Sequence, residues 1–599
     1  MANYVIVGAG ASGLYTAFHL LKSGKLQPAD TVQIFEWSQR PGGRIFTYSF
    51  PDPPEWEQQG LYVELGGMRF AADAGFPILP HTKCEGHVLV QSMILQLGLQ
   101  DKVRDFQQSK NRLYYLRGTN AYEECLTPQA THQLPYGFNK QFFDFISQIP
   151  QQPGDPTPIT ADNILGQIAT DFAPGLGASN TLRGQWCHYY ANGTVDPKFA
   201  TLAFPAGTPI KDVGYWNLLY DQLGDEGFDY AADGTGYTSN VINWNSADAM
   251  QANNDYSSNT SYKRIDGGYS QLFTSMAAAI EQMGGQIHYG QRLTSLEESS
   301  NGTQTYCTFV SQNEVTQIAT ADYLFLAMPR RALEMVADGC PQSYMLNQPG
   351  VKLWRESSID QPAIKAVMVF DEPWWTGPSC AYPPNLLWPQ DAPQPAPPPG
   401  QQVGGATITD LPLRMVYYFG NNVPNGPGNK GGPYVLLASY DDMTYSDFWR
   451  QVETSGDYTE APSSIRQPLH GPTQLDPQSS FAQLLRKQLA ELHGIALEKV
   501  PLPSAVFFQD WGQDPYGGGY HGWAAHYNIC QAMDNMRAPY SNILGNNTTK
   551  TYIIGSCYSF DQAWVEGAFC TAQSVLEDFF GLPVDPYAGG YHLVCTPSD

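Results

Sequence analysis

A glycine-rich turn near the start of the chain has the spacing that binds a dinucleotide. Gly8, Gly10 and Gly13 follow the apolar segment from Tyr4 to Val7 and precede a helical pattern from Leu14 to Lys22. The first glycine permits the turn, the second lets the backbone approach a pyrophosphate, and the third lets helix and strand pack closely. The helix N-terminus offers free N–H groups and partial positive charge to phosphates. We therefore expect a nucleotide diphosphate at this turn.

Acidic and basic residues after the turn strengthen this prediction. Glu36 ends the next predicted strand, where a carboxylate accepts hydrogen bonds from the hydroxyls of an adenosine ribose. Directly afterwards, Arg40-Pro-Gly-Gly-Arg44 combines two adjacent glycines with a cation, which suits backbone packed against an anion. The opening segment therefore predicts a complete dinucleotide-binding unit.

Two further segments carry residues whose types and setting suggest a binding site. Arg69 lies in Glu64-Leu-Gly-Gly-Met-Arg-Phe70, and a planar guanidinium matches a carboxylate with two parallel hydrogen bonds. The alternative for Arg69 is a structural ion pair that braces the loop. Near the other end, Gly555-Ser556 closes a predicted strand, and an amphipathic helix runs from about Trp564 to Phe580. For Trp564 the alternative is a core tryptophan.

Predicted β and α elements group these motifs into a discontinuous domain. Strand and helix patterns recur in three blocks, which predict a nucleotide-binding domain of residues 1–72, 260–349 and 549–582. We assign residues 73–135 and 350–548 to a substrate-binding domain, 136–259 to a helical subdomain, and 583–599 to a C-terminal tail. Two proline- and glycine-rich stretches, 383–405 and 421–433, are expected to be irregular.

Composition excludes several functions. The 599 residues include 32 Lys and Arg against 57 Asp and Glu, and a formal charge of −25 repels nucleic acid and anionic membranes. No apolar run is long enough for a transmembrane helix, and no histidine or cysteine spacing predicts a metal site. The ten scattered cysteines suggest free buried thiols.

Because no signal segment precedes the first strand, we expect an intracellular location. Asn-x-Ser/Thr triplets at Asn192, Asn259, Asn301 and Asn547 instead suit a secretory route.

In this order the motifs resemble those of the flavin monoamine oxidase superfamily, and of its L-amino acid oxidases in particular. The resemblance implies an α/β, Rossmann-like FAD-binding domain joined to a mixed β-sheet substrate-binding domain with a helical insertion. It implies FAD contacts at Gly8, Gly10, Ala11, Ser12, Gly13, Glu36, Trp37, Gly43, Arg44, Gly66, Gly67, Met68, Arg69, Leu293, Gly555, Ser556, Trp564 and Val565. Many members have glutamate at the position of Ser556, so this chain departs from the family pattern there.

The same resemblance assigns a substrate site and a reaction. Arg69, Tyr417, Tyr440, Ala563 and Trp564 are expected to contact the substrate. In this assignment Arg69 and Tyr440 hold the carboxylate, Trp564 flanks the amine, and Lys365 holds a water near flavin N5. A lysine on a surface strand is the alternative for Lys365. Alternation along a strand sends Tyr417 and Tyr418 to opposite faces.

The implied reaction is oxidative deamination of free L-amino acids to 2-oxo acids, ammonia and H2O2. A hydride moves from Cα to flavin N5, and O2 reoxidises the flavin. Two other reactions on the same scaffold stay open: that of an amine or polyamine oxidase, and that of an amino acid 2-monooxygenase. A catalytically silent flavin-binding module is the non-enzymatic alternative. We expect small-molecule partners only, in a homodimer.

Overall fold

A computed structural model describes residues 1–51, 53–58, 60–77, 85–108, 111–151, 157–253, 260–377, 380, 385–387, 405–418, 432–453, 469, 471–583 and 591–599. The strands are β1 Asn3–Val7, β2 Thr31–Phe35, β3 Thr47–Ser49, β4 Tyr62–Glu64, β5 Phe70–Asp73, β6 Val103–Asp105, β7 Leu113–Leu116, β8 Thr119–Tyr122, β9 Thr260–Ile265, β10 Gln286–His288, β11 Gln291–Glu298, β12 Thr305–Ser311, β13 Thr316–Ala321, β14 Tyr323–Leu326, β15 Ser358–Gln361, β16 Ala363–Phe370, β17 Ala406–Thr409, β18 Met415–Tyr418, β19 Tyr434–Asp442, β20 Thr473–Leu475, β21 Ala505–Asp510, β22 Tyr520–Trp523 and β23 Thr551–Ile553.

The α-helices are α1 Ala11–Lys22, α2 Pro54–Gln58, α3 Val88–Gln96, α4 Lys140–Ile146, α5 Ala161–Phe172, α6 Arg183–Asn192, α7 Tyr215–Leu223, α8 Asp225–Gly234, α9 Ser246–Ala252, α10 Ser270–Gln282, α11 Arg330–Gly339, α12 Pro349–Arg355, α13 Ser446–Glu453, α14 Ser480–Leu492, α15 Ile529–Arg537, α16 Pro539–Asn542 and α17 Val565–Phe580. The predicted α/β fold class is confirmed.

A parallel sheet assembled from distant parts of the chain forms the first layer. Its order is β10-β2-β1-β14-β23, so strands from three separate stretches lie side by side. The central strands β1 and β14 are rich in buried apolar residues, and α1 packs against both α10 and α17. The carboxyl ends of β1, β14 and β23 therefore meet at one edge, where ligands of such sheets bind. The exact domain limits stay a prediction.

A larger mixed sheet lies beside the parallel one. Its order is β20-β21-β16-β19-β18-β17-β7-β8, antiparallel except where β17 pairs with β7. In the register of β16, Lys365 stands between Tyr440 on β19 and Gln509 on β21. Residues opposite each other on paired strands share a face, so this row points to one side of the sheet. The helices α4 to α9 occupy the stretch predicted to be a helical subdomain.

A disulfide ties the C-terminal segment to that helical stretch. Cys187 on α6 is bonded to Cys595, 408 residues away. The prediction of free thiols is therefore wrong for these two cysteines, whose separation gives no sequence signal. It is confirmed for Cys125, Cys307, Cys340, Cys380, Cys530, Cys557 and Cys570, which are free and buried. Cys84 and Asn259, with most of 383–405 and 421–433, lie outside the described residues.

Among the described helices, none has the length and apolar character needed to cross a bilayer.

Candidate active site

The turn after β1 leaves its backbone accessible. Gly8 has φ +107°, a conformation that favours glycine, and a Cβ on Gly13 would lie 2.0 Å from the Gly8 carbonyl oxygen. In contrast, a Cβ on Gly10 would meet no atom within 4 Å. Because α1 begins at Ala11, its first N–H groups face the open space beside Gly10. This arrangement fits a pyrophosphate at the position predicted from the sequence.

The Glu36 carboxylate is held in place by the backbone. Its two oxygens accept hydrogen bonds from the N–H groups of Ala9 and Ser38, each at 2.7 Å. These bonds fix the orientation of the carboxylate while each oxygen keeps capacity for a further donor. Glu36 and the neighbouring Trp37 both border the cavity described below.

Arg44 connects the first and last predicted FAD segments. Its Nη1 donates to the carbonyls of Gly518 and Gly519 at 3.2 and 3.1 Å, and its Nη2 donates to Ser556 Oγ at 3.3 Å. A Cβ on Gly66 would lie 1.9 Å from the Arg44 carbonyl oxygen, so only glycine allows the two segments to approach this closely. The Ser556 hydroxyl therefore has Arg44 as a polar partner, although serine lacks the carboxylate that many family members have at this position.

One cavity of about 380 Å³ brings most of the predicted residues together. Its lining includes Gly8, Gly10, Ala11, Ser12, Glu36, Trp37, Gly43, Arg44, Gly66, Gly67, Leu293, Lys365, Tyr440, Gly555, Ser556, Ala563, Trp564 and Val565. Four predicted residues are absent from this lining: Gly13, Met68, Arg69 and Tyr417. Gly13 packs against Gly8 and Met68 is buried, whereas Arg69 and Tyr417 belong to an adjoining group.

Lys365 reaches the cavity from β16 and is anchored by the backbone. Its Nζ donates to the carbonyls of Glu64 and Gly66 at 3.0 and 2.6 Å, and it lies 4.6 Å from the centre of the Tyr440 ring. Burial lowers the pKa of the Lys365 ammonium below its usual range, although the Glu64 carboxylate opposes this shift. The alternative of a surface lysine is wrong, since the side chain is buried.

Arg69 lies among aromatic side chains next to the cavity. Its Nη1 donates to the hydroxyl of Tyr417 at 3.2 Å, and its guanidinium carbon lies 4.4 Å from the Tyr262 ring centre and 5.3 Å from that of Phe106. Within the described residues, no Asp or Glu forms an ion pair with Arg69. The alternative of a structural ion pair therefore has no support there, and the guanidinium is suited to bind an anion.

The two predicted pocket tyrosines stand in different relations to Arg69. The sequence assigns Tyr440, with Arg69, to the substrate carboxylate, which stays a prediction, and the hydroxyl that accepts a hydrogen bond from Arg69 belongs to Tyr417. The centre of the Tyr440 ring lies 6.2 Å from that of Tyr417, and Tyr440 lines the cavity next to Lys365. A register shift between β18 and β19 separates the two side chains along the strands. Tyr418 points to the opposite face and contacts His493, as strand alternation predicts.

Trp564 is positioned by contacts with two other elements. Its ring lies nearly parallel to that of Tyr262, with centres 6.1 Å apart, and 4.9 Å from the ring of His87. Two residues later, the Glu566 carboxylate accepts hydrogen bonds from the N–H groups of Leu89 and Val90 at 2.9 and 3.0 Å. Glu566 thus caps α3 and fixes the first turn of α17 beside the cavity. Burial raises the pKa of Glu566 to about 7.

Phe106, Tyr237 and Tyr262 are site residues that the sequence did not reveal. None belongs to a recognised motif, and only Gly234-Thr-Gly-Tyr237, a glycine-rich turn ending in an aromatic residue, gives a local signal. Cys187, His592 and Cys595 are close enough to share a metal ion, but both cysteines are used in the disulfide.

This geometry agrees with comparisons to known proteins. Residues 11–575 match the model of the family described as flavin containing amine oxidoreductase, so the chain belongs to that family. The predicted FAD cofactor and oxidoreductase class are confirmed at this level.

Similar proteins span nearly the whole chain at low identity. Aplysianin-A from Aplysia kurodai is 22% identical over 96% of this chain and 90% of its own length. An L-amino-acid oxidase from Demansia vestigiata is also 22% identical, over 96% of this chain and 86% of its own length. Among solved structures, putrescine oxidase bound to putrescine has a TM-score of 0.57 at 15% identity, covering 97% of this chain and 99% of that one. The structural likeness supports the fold alone.

Proposed function

We propose that this protein catalyses oxidative deamination of free L-amino acids to 2-oxo acids, ammonia and H2O2. The observation that carries the proposal is the Arg69 guanidinium, which has a tyrosine hydroxyl beside it and no acidic partner among the described residues. An oxidase of simple amines has no substrate carboxylate for such a cation to bind. The similarity to an L-amino-acid oxidase supports the same conclusion.

The side chains next to the cavity suit an amino acid zwitterion. Arg69 would bind the α-carboxylate with two N–H groups, and the Tyr417 hydroxyl lies close enough to share in that contact. Trp564 lines the cavity and would offer an aromatic ring to the ammonium group, which is attracted by the ring quadrupole. Holding both ends of the α-carbon unit fixes the direction of its C–H bond.

FAD bound in this cavity would supply the hydride acceptor and a route for the electrons to O2. Gly10, Glu36, Arg44 and Ser556 would hold it, because they border the cavity with accessible backbone, a carboxylate, a cation and a hydroxyl. Lys365 borders the same cavity, with its Nζ held by the backbone carbonyls of Glu64 and Gly66, and burial favours its neutral form by lowering the pKa of its ammonium. The amine lone pair drives the chemistry, so no strong side-chain base is required.

Product analysis tests this function against the alternatives. Screening the twenty L-amino acids should give 2-oxo acid, ammonia and H2O2 in equal amounts for at least one of them. Amide with CO2 would identify a 2-monooxygenase, and turnover of putrescine but no amino acid would identify an amine oxidase. Anaerobic addition of the substrate should bleach the flavin absorbance. A flavin that no amino acid or amine bleaches would indicate a silent binding module.

Location and assembly are part of the proposal. The Cys187–Cys595 disulfide favours an oxidising compartment over the intracellular location expected from the N-terminus. Dimer formation stays a prediction, and light scattering on the FAD-loaded protein would measure it.

A further inference from the structure

A tyrosine from the helical stretch reaches the Arg69 site. The hydroxyl of Tyr237 lies 3.4 Å from that of Tyr417, and its ring packs edge-on to Tyr440 with centres 5.1 Å apart. Tyr237 follows α8 in sequence, while Tyr417 and Tyr440 lie on β18 and β19. The site beside Arg69 is therefore built by two different parts of the chain.

The segment that carries Tyr237 is held against the mixed sheet on both sides of this residue. Gly236 has φ +78°, and a Cβ there would lie 2.6 Å from the sulfur of Met415 on β18. After Tyr237, the buried Asp442 carboxylate at the end of β19 accepts hydrogen bonds from Thr238 N at 2.7 Å and Ser239 Oγ at 2.6 Å. We call the hydrogen bond from Ser239 Oγ to the Asp442 carboxylate the latch. The latch and the close packing of Gly236 against Met415 restrict movement of Tyr237 away from Tyr417.

The hydrogen bonds around Tyr417 give Tyr237 a specific role. The Tyr417 oxygen accepts a hydrogen bond from Arg69, and a second hydroxyl lies within reach at Tyr237. If Tyr237 donates, both acceptor positions of Tyr417 are occupied, and the Tyr417 proton must point away from both partners. Burial raises the pKa of Tyr237, so its hydroxyl keeps its proton at neutral pH and is able to donate.

We propose that Tyr237 is a positioning residue for carboxylate recognition. Its hydroxyl orients the Tyr417 proton toward the ligand carboxylate that Arg69 binds, and the latch holds it there. The inference rests on the proposed function, because it concerns the same carboxylate. It adds that the helical stretch sets the affinity for the acid group.

Titration calorimetry on the FAD-loaded protein tests this role without turnover. Benzoate carries a carboxylate and no ammonium group, whereas benzylamine has the reverse. Tyr237→Phe removes only the hydroxyl and should raise the benzoate Kd roughly five- to tenfold, as expected for one neutral hydrogen bond. Benzylamine binding should not change. The amino acid KM should rise by a similar factor, with kcat changed less than about twofold.

Two further variants complete the design. Ser239→Ala leaves Tyr237 intact and weakens the latch, together with the contact that Ser239 makes to the Tyr520 hydroxyl, and should shift benzoate binding in the same direction by a smaller factor. Tyr220→Phe on α7 is the matched control, since this tyrosine is 54% exposed, and it should leave every value unchanged.

The outcomes separate this inference from the proposed function. If Arg69→Ala abolishes benzoate binding while Tyr237→Phe leaves it unchanged, the inference is overturned and the proposed function stands. Equal weakening of benzoate and benzylamine would make Tyr237 a simple wall of the pocket and also overturn it. If the wild-type protein binds no benzoate and oxidises no amino acid, both proposals are wrong.

Discussion

Arg183 and Asp561 form two parallel hydrogen bonds of 3.0 and 2.9 Å between α6 and the segment that precedes Trp564. Both side chains are buried, and Arg183 also packs over the rings of Phe560 and Tyr591. The pair joins the helical stretch to the last segment of the cavity. Its effect should therefore appear in the stability of the whole fold.

We predict that Asp561→Asn destabilises the protein strongly. Removing the carboxylate leaves the Arg183 charge buried without its partner, which costs about 3–5 kcal/mol. Asp144→Asn is the matched control, because it breaks an exposed ion pair with Lys140 and should cost less than about 0.5 kcal/mol. Denaturant unfolding measures both values, and similar losses in the two variants would contradict the assigned role of the buried pair.

Arg69→Ala should raise the amino acid KM about a hundredfold or more, on the order of 3 kcal/mol for a lost charge-assisted pair. Arg69→Lys keeps the charge without the planar fork and should give an intermediate KM. Steady-state peroxide release measures both effects. Unchanged amino acid kinetics in Arg69→Ala would remove this residue from the mechanism.

Gly10→Ala should fold normally but bind FAD at least about tenfold more weakly. A Cβ at Gly10 meets no protein atom within 4 Å, so the methyl group would occupy space that a pyrophosphate needs. Gly166→Ala is the matched control, since its Cβ is equally unobstructed but lies in α5. The flavin-to-protein absorbance ratio and the melting temperature of the apoprotein measure the two effects. Full FAD binding by Gly10→Ala would show that the phosphates lie elsewhere.

Glu566 should make stability depend on pH. Burial raises the pKa of its carboxyl group in the folded protein to about 7 from the ordinary value of 4.5, so the folded state holds more protons between these values. Its contribution to the free energy of unfolding therefore falls as pH rises from about 4.5 to 7, by up to about 3 kcal/mol. Glu566→Gln removes this titration.

The comparison of variant and wild type isolates that titration. Because Glu566→Gln loses a cap of α3, it should be less stable than the wild type at pH 5. The difference in the free energy of unfolding between the two proteins, called here the gap, should narrow at pH 8. Chemical unfolding at the two pH values measures the gap. A constant gap would show that the carboxyl group does not titrate in this range.

The sequence predicted the parts of the site that local motifs determine. Gly8, Glu36 and Arg44 lie within one short βαβ unit, where spacing alone brings them to the same sheet edge. It could not predict Tyr237, because its position depends on a contact with β18 across 180 residues. The Cys187–Cys595 disulfide was missed for the same reason, because it joins residues 408 positions apart and the sequence around each cysteine gives no sign of it.

Tyr417 and Tyr440 illustrate an intermediate case. The strand patterns predicted that at most one of two adjacent tyrosines faces the site, and Tyr417 contacts Arg69 next to the cavity whereas Tyr418 contacts His493 on the opposite face. Which tyrosine meets Arg69 depends on the irregular register between β18 and β19, a property of strand pairing that hydrophobic alternation does not contain.

The order of strands in the parallel sheet has a consequence for biosynthesis. Its central strand β1 leaves the ribosome before the other four strands of the sheet, whereas the edge strand β23 and the helix α17 that follows it are complete only at Phe580. A growing chain holds the first glycine turn long before it holds Ser556 and Trp564. Complete binding of the coenzyme must therefore wait until the segment that ends at Phe580 has been synthesised, and the nascent polypeptide lacks that source of stabilisation until then.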